Sequence, residues 1–333
     1  MNATTIAFIN NKGGVGKTTL VHHLSWMFAQ MGRTVVAADL DPQMNLTAYF
    51  LDEDRVEELL EADGVECGTV FDCVNPLRKG TGDLTEPYLE RIDDKLFLIP
   101  GDLSMSLFED QLSSQWSACM DGDERAFRVV SVFGRILESA ANLTNADLVL
   151  VDLGPNLGAS NRAALIAADH VVVPLSPDLF SLQGLQNLGP TLRRWKSEWA
   201  DRKPKNPEPA LTIPRGEPTP LGYVVLQHSE RLDRPVKAYR KWIARIPGVY
   251  RTAVLDEPPG DLSSPEEDPH CLALLKHYRS LLPLGHEAHK AIFNLKPADG
   301  AIGAHLQAVH AAYRTFKDLA SVIDQKRIAG VTA

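Results

Sequence analysis

Residues 11–19, Asn11-Lys12-Gly13-Gly14-Val15-Gly16-Lys17-Thr18-Thr19, constrain this chain more than any other stretch. They follow a β-branched and apolar run, Thr5-Ile6-Ala7-Phe8-Ile9, and lead into an amphipathic stretch from Thr18 to about Met31. A strand, a glycine-rich turn and a helix in that order aim backbone amides and a helix N-terminus at one point, the geometry that holds phosphate. Lys17 is placed to set its ammonium on the β- and γ-phosphates of a nucleotide, and the Thr18 hydroxyl to ligate Mg²⁺. Gly13, Gly14, Val15, Gly16 and Thr19 complete the expected cradle. The common pattern of such loops has glycine where this chain has Asn11, and here a second lysine, Lys12, follows it.

That variant, with Lys12 ahead of Gly13-Gly14-Val15-Gly16-Lys17-Thr18, resembles the deviant Walker A box of the ParA/MinD family. The resemblance implies ATP as the nucleotide and assigns Lys12 a place across a two-fold interface, on the nucleotide held by a second subunit. The physics is compatible, because a cation delivered to the bridging and γ-oxygens stabilises charge that grows in the transition state.

Two more segments fit the same family. Val35-Val36-Ala37-Ala38-Asp39-Leu40-Asp41-Pro42-Gln43 reads as a strand ending in two carboxylates on one face, near the strand end where open parallel sheets bind ligands. By resemblance Asp41 sits by the attacking water and Mg²⁺ and is the catalytic carboxylate, with Lys12 and Lys17. Asp147-Leu148-Val149-Leu150-Val151-Asp152 is an apolar run closed by a carboxylate, as a Walker B strand is, so Asp152 and Thr18 are expected to hold Mg²⁺. The family usually has two prolines after this aspartate, and Gly154 replaces the first. Val171-Val172-Val173-Pro174-Leu175 and Phe180-Ser181-Leu182-Gln183-Gly184-Leu185 continue the match, which covers residues 1 to about 195.

Periods and breakers predict strands at 5–10, 34–39, 95–99, 147–152, 170–174 and 221–227, and helices at 18–31, about 124–141 and about 181–199. The alternation predicts an α/β fold, a largely parallel doubly wound sheet flanked by helices, in one P-loop ATPase domain over residues 1–333. Three insertions are expected, at about 50–94, 200–220 and 255–270. The first is acidic, with a short helix near Asp54–Glu61. The second holds Pro204, Pro207, Pro209, Pro214, Pro218 and Pro220, which exclude regular helix and suggest an exposed, stiff loop. The third is an acidic loop from Asp256 to Asp268. Leu306, Val309, Tyr313, Phe316, Leu319 and Ile323 recur at helical spacing and predict a closing helix against the sheet.

Other chemistries find little support. Cys67, Cys73, Cys119 and Cys271 lack paired spacing, which argues against a disulfide framework, a zinc site or an iron–sulfur cluster. His286 and His289 are one residue short of stacking on a helix face and read as solvated, and His22-His23 receives no chemical role. No apolar run reaches membrane-spanning length, and the first strand begins almost at once, so a cytoplasmic chain is expected. The last residues, Arg327 to Ala333, are too poor in bulky apolar side chains for a membrane-targeting helix.

Charge is unevenly spread. The formal net charge is −9, yet residues 193–251 hold 14 Lys/Arg against 6 Asp/Glu, leaving −17 for the rest. Within that basic sector Val236, Tyr239, Ile243 and Ile246 form an apolar helical set, while Lys237, Arg240, Lys241 and Arg245 form a stripe suited to DNA phosphates. The resemblance implies a homodimer formed on ATP, nonspecific DNA binding by that dimer, slow hydrolysis and a stimulating ParB-like adaptor. It points to a nucleoid-associated ATPase that partitions plasmid or chromosome cargo. Adenine is likewise implied by the family, with Gln227 at a strand end as candidate base contact. The alternatives are a MinD-like positioning ATPase on a membrane or protein surface, and a regulatory ATPase subunit of a larger assembly.

Overall fold

The computed structural model describes residues 3–61, 68–228, 241–261, 264–278 and 280–331. Eight strands form one sheet in the order β3-β4-β2-β5-β1-β6-β7-β8. They are β1 Thr4–Phe8, β2 Val35–Asp39, β3 Glu90–Asp93, β4 Leu96–Ile99, β5 Leu148–Asp152, β6 His170–Leu175, β7 Thr219–His228 and β8 Cys271–Lys276. All neighbours pair in parallel except the edge strand β3, which runs antiparallel to β4.

Parallel strands covered on both faces read as continuous apolar runs, and the period of two then sorts their side chains into two cores. Ala7, Val36, Ala38, Val149 and Val151 enter one core. Ile6, Phe8, Val35, Ala37, Leu148 and Leu150 enter the other. The second core is closed by α1 (Lys17–Gln30), α2 (Asn45–Phe50) and the C-terminal helix Ala304–Val331. The first is closed by α4 (Val70–Lys79), α5 (Glu109–Ala118), α7 (Val132–Thr144), α8 (Ala159–Ala167) and α9 (Leu179–Arg202). Between α2 and α4 lies α3, Glu53–Leu60, where the short acidic helix is expected.

Several predicted elements take a different form. The expected helix over 124–141 is two, α6 (Glu124–Val130) and α7, meeting at Ser131. The Ser131 hydroxyl donates back to the Arg128 carbonyl at 3.3 Å, a bond that bends helices. Residues 200–220 carry no α-helix beyond Arg202, but they are no free loop. The Trp199 indole N–H donates to the Pro214 carbonyl at 2.9 Å, and Leu211 is buried with Trp116 and Phe127. In the acidic stretch, Asp268 is buried and accepts from the Tyr223 hydroxyl at 2.8 Å. The closing helix buries Val309, Phe316, Leu319 and Ile323, whereas Leu306 and Tyr313 remain exposed. Lys237 and Arg240 lie outside the described residues, as do Val236 and Tyr239. Ile243 and Ile246 are buried as expected, and Lys241 and Arg245 are exposed on either side of Trp242. Cys119 and Cys271 are free thiols, Cys73 is buried, and Cys67 lies outside the described residues.

Candidate nucleotide site

The loop between β1 and α1 is shaped at its start by Asn10. Its side chain donates to the Pro174 carbonyl at 2.6 Å and accepts from the Lys12 amide at 2.9 Å, fixing the loop to the end of β6. Gly14 and Gly16 hold φ of 72° and 89°, left-handed values that favour glycine. A Cβ added at Gly13 or Gly14 would meet nothing within 4 Å, so this part of the loop borders open space. The N-cap of α1 is Gly16, with no side-chain cap and no acidic residue in the first turn, so nothing within the helix itself offsets its dipole.

Behind the loop the charged groups are buried and paired. Lys17 is 7% exposed, and its Nζ stands 3.1 Å from Oδ1 of the wholly buried Asp152. The Thr18 hydroxyl donates to the other Asp152 oxygen at 2.7 Å. Burial raises the Asp152 pKa, while Lys17 and Thr18 pull it down. β5 brings Asp152 to the sheet end beside β2, in register with Asp39.

The two carboxylates after β2 differ in surroundings. Asp39 accepts from the Thr47 amide and hydroxyl, both at 2.8 Å, and a Cβ on Gly101 would lie 2.9 Å from its carboxyl carbon. Burial, then the neighbouring Asp152 charge, pushes its pKa up to about 7. Its oxygens are committed within the fold. Asp41 is 4% exposed, and its Oδ1 accepts from the Gln43 amide at 3.1 Å. It faces Gly154, whose added Cβ would stand 3.3 Å from Asp41 Oδ1.

Lys12 lies at the rim, about a third exposed, and pairs with Asp178. Asp178 also caps α9 by accepting from the Ser181 amide at 2.9 Å. The Thr19 hydroxyl meets the Tyr49 hydroxyl at 2.9 Å. Beside Gly16 and Thr19 a cavity of about 80 Å³ is lined by Leu226, Lys276 and Tyr278. Gln227 belongs to β7 next to it, and its side chain lies outside the described residues.

Thus the fold brings Lys12, Lys17, Thr18, Asp41 and Asp152 to one end of the sheet. Hard oxygen donors from Thr18, Asp41 and Asp152 around open loop space suit Mg²⁺ with a polyphosphate. Lys241 and Arg245 form no part of this constellation. Sequence reasoning missed Asp178, although an aspartate just before a helix is a capping signal. It also missed Tyr49, which no local pattern marks. His22 and His23, given no role from sequence, are buried in α1, and His286 is exposed.

A family model described as an AAA domain matches residues 3–203. An uncharacterised protein of Methanocaldococcus jannaschii is 29% identical over 73% of this chain and 81% of its own length. The sporulation initiation inhibitor protein Soj of Bacillus subtilis is 30% identical over 56% of this chain, and the match spans 64% of Soj. Among solved structures, a Corynebacterium diphtheriae protein superposes with a TM-score of 0.67 at 23% identity, covering 97% of this chain and 98% of its own. A plasmid partition protein of Borrelia burgdorferi bound to AMPPNP gives 0.58 at 16% identity, over 98% and 100% of the two chains.

Proposed function

The chain belongs to the ParA/MinD-type family of P-loop ATPases, and on that premise we propose that it is an ATP-driven partition switch, closest to ParA/Soj proteins. In this reading residues 1–333 form one ATPase domain, with additions at about 50–94, 200–220 and 255–270. Two copies close around ATP, bind DNA without sequence preference, and hydrolyse the nucleotide slowly until a ParB-like adaptor stimulates them. The cargo is a plasmid or chromosome, and the protein works in the cytoplasm on the nucleoid. The chromosome-partitioning ATPase Soj of Treponema pallidum, 28% identical over 58% of this chain, and the plasmid partition protein bound to AMPPNP support this direction by their names.

The observation that carries the reading is the contact of Thr18 and Lys17 with one buried carboxylate, Asp152, beneath a loop open at Gly13 and Gly14. An incoming triphosphate competes with Asp152 for Lys17, and the carboxylate so released, with Thr18, is suited to hold Mg²⁺. Held there, Mg²⁺ would supply positive charge to the phosphates. The amides of Gly13 to Thr19 cradle the phosphates. Asp41 orients the attacking water from its buried position, and Lys12, exchanging Asp178 for the nucleotide of the second copy, stabilises the charge that grows on the bridging and γ-oxygens as ADP departs. The base lies against the segment beside Leu226 and Gln227, where the existing cavity must widen to admit it.

The test is binding to a nonspecific duplex across a salt series with ATP, ADP and no nucleotide, while molecular mass is followed. ATP-dependent, salt-sensitive binding by a dimer is expected. A dimer that ignores DNA at low salt rejects the partition reading and leaves an ATP switch acting on protein or membrane.

A further inference from the structure

The loop after Asp152, residues 153–158, passes beside Asp41 and ends at α8, and two side chains outside the phosphate loop hold it. Asn161, 2% exposed on α8, points its amide back into the loop. Its Nδ2 donates to the Gly154 carbonyl at 2.8 Å and to the Asn156 carbonyl at 2.7 Å. Asn156 in turn accepts from the Gly158 amide at 2.9 Å. Two loop carbonyls and an Asx turn are thereby locked, with Gly154 against Asp41.

The second restraint comes from α5, 50 residues earlier in the chain. The N-cap of α8 is Gly158, which has no side chain to cap with. Glu109 takes that place: its carboxylate accepts from the Ala159 amide, from the Ser160 amide at 2.9 Å and from the Ser160 hydroxyl. Gly158 has an ordinary φ of −81°, so its backbone does not call for glycine. A Cβ there would stand 2.5 Å from Glu109 Oε1, so a side chain at this position would push the carboxylate off its cap. α8 is fastened to α5 again by Arg162, which stacks 4.2 Å over the Trp116 ring and donates to the Leu112 carbonyl at 3.3 Å.

We infer that Glu109 and Asn161 are positioning residues that hold loop 153–158 against Asp41, and so govern hydrolysis rather than nucleotide affinity. The inference rests on the ATPase reading above. The hydrogen bonds of both side chains go to residues 154–160 and not to the phosphate loop, so their loss leaves the cradle of Lys17 and Thr18 in place. What shifts is the loop backbone that faces Asp41 at Gly154, where displacement of the order of 1 Å costs rate steeply.

The experiment compares the wild-type chain with Glu109→Gln and Asn161→Ala. It measures single-turnover ATP hydrolysis with protein in excess, equilibrium ATP affinity in Mg²⁺, and thermal unfolding. Glu109→Gln keeps the shape while turning an amide N–H₂ toward donors, so it remains informative if Asn161→Ala fails to fold. Hydrolysis about tenfold slower, with ATP affinity within about threefold of wild type, is expected for each. Unchanged hydrolysis overturns the inference alone, as does a loss of rate matched by an equal loss of affinity. A folded wild type that binds no ATP, or never hydrolyses it, overturns the ATPase reading and this inference with it.

Discussion

Lys12 and Lys17 share one loop, yet their partners make them unequal experimental targets. Lys17 is buried against Asp152, so its removal strands a buried carboxylate and mixes folding with function. The Lys12–Asp178 pair is about a third exposed, and such pairs contribute roughly 0–1 kcal/mol. Lys12→Gln therefore reports function cleanly: ATP-dependent dimerisation, followed by light scattering, should vanish while the monomer still binds nucleotide. An unchanged dimer removes the role across the interface. Asp41→Ala should instead accumulate the ATP dimer, and normal hydrolysis by that variant would reassign the catalytic carboxylate. His23 gives a separate prediction. Burial lowers its pKa from 6.5 to about 4, and its ring meets the Thr19 carbonyl at 2.6 Å and the Ile292 amide at 3.1 Å. Because the folded pKa is depressed, the unfolded chain takes up the proton first. Stability is thus full above about pH 6.5 and falls as pH drops toward 4, by an amount on the order of 3 kcal/mol. Urea unfolding at about pH 7 and pH 5 should show a steeper loss in wild type than in His23→Gln, and equal slopes would refute it. The phosphate-loop residues were legible because their motif is local. Asp178, 166 residues from Lys12, was not, since only the sheet order brings β1 beside β6.

At the scale of elements, the central strands were located closely because they are continuous apolar runs covered on both faces, and α1 because the glycine-rich turn sets its start, although α1 is buried on more than the one face expected, with His22, His23 and Ser25 included. It failed where a side chain redirects the backbone, as Ser131 does between α6 and α7, and where prolines gain partners, as Pro214 does from Trp199. Glycine in a helix shows the same conflict between local propensity and packing. Gly189 lies within α9, and in an isolated helix alanine would be favoured there by about 1 kcal/mol. Here α9 packs on residues Arg251–Leu255, and a Cβ at 189 would stand 1.8 Å from the Ala253 carbonyl oxygen. Backbone must move to admit it, at about 1–3 kcal/mol or more, so packing outweighs propensity. Gly189→Ala should lower the unfolding midpoint in urea, and a variant more stable than wild type would show that the two elements slide apart without cost.

For the whole molecule the question is how an acidic protein would hold DNA as proposed, and the sequence supplied the charge asymmetry without the surface that carries it. Residues 193–251 sum to +8 within a chain of −9, but Arg193 is engaged by the Ala253 carbonyl, Arg202 by the Trp116 carbonyl and Lys203 by Glu217. Such partners reduce the charge available to phosphate, which a count of residues cannot reveal. Lys241 and Arg245 are exposed beside Trp242, a weak partner that leaves their charge facing solvent. In the proposed dimer each appears twice. If each neutralises one phosphate, the double variant Lys241→Gln/Arg245→Gln removes four contacts, and the slope of log affinity against log salt should fall by roughly 3 to 4. Dimerisation on ATP should persist, because among the described residues the partner of both side chains is the Trp242 ring and not Lys12 or the phosphate loop. A variant with unchanged slope would place the DNA surface elsewhere. One that loses the slope together with the dimer would mean that these residues act through assembly rather than through phosphate.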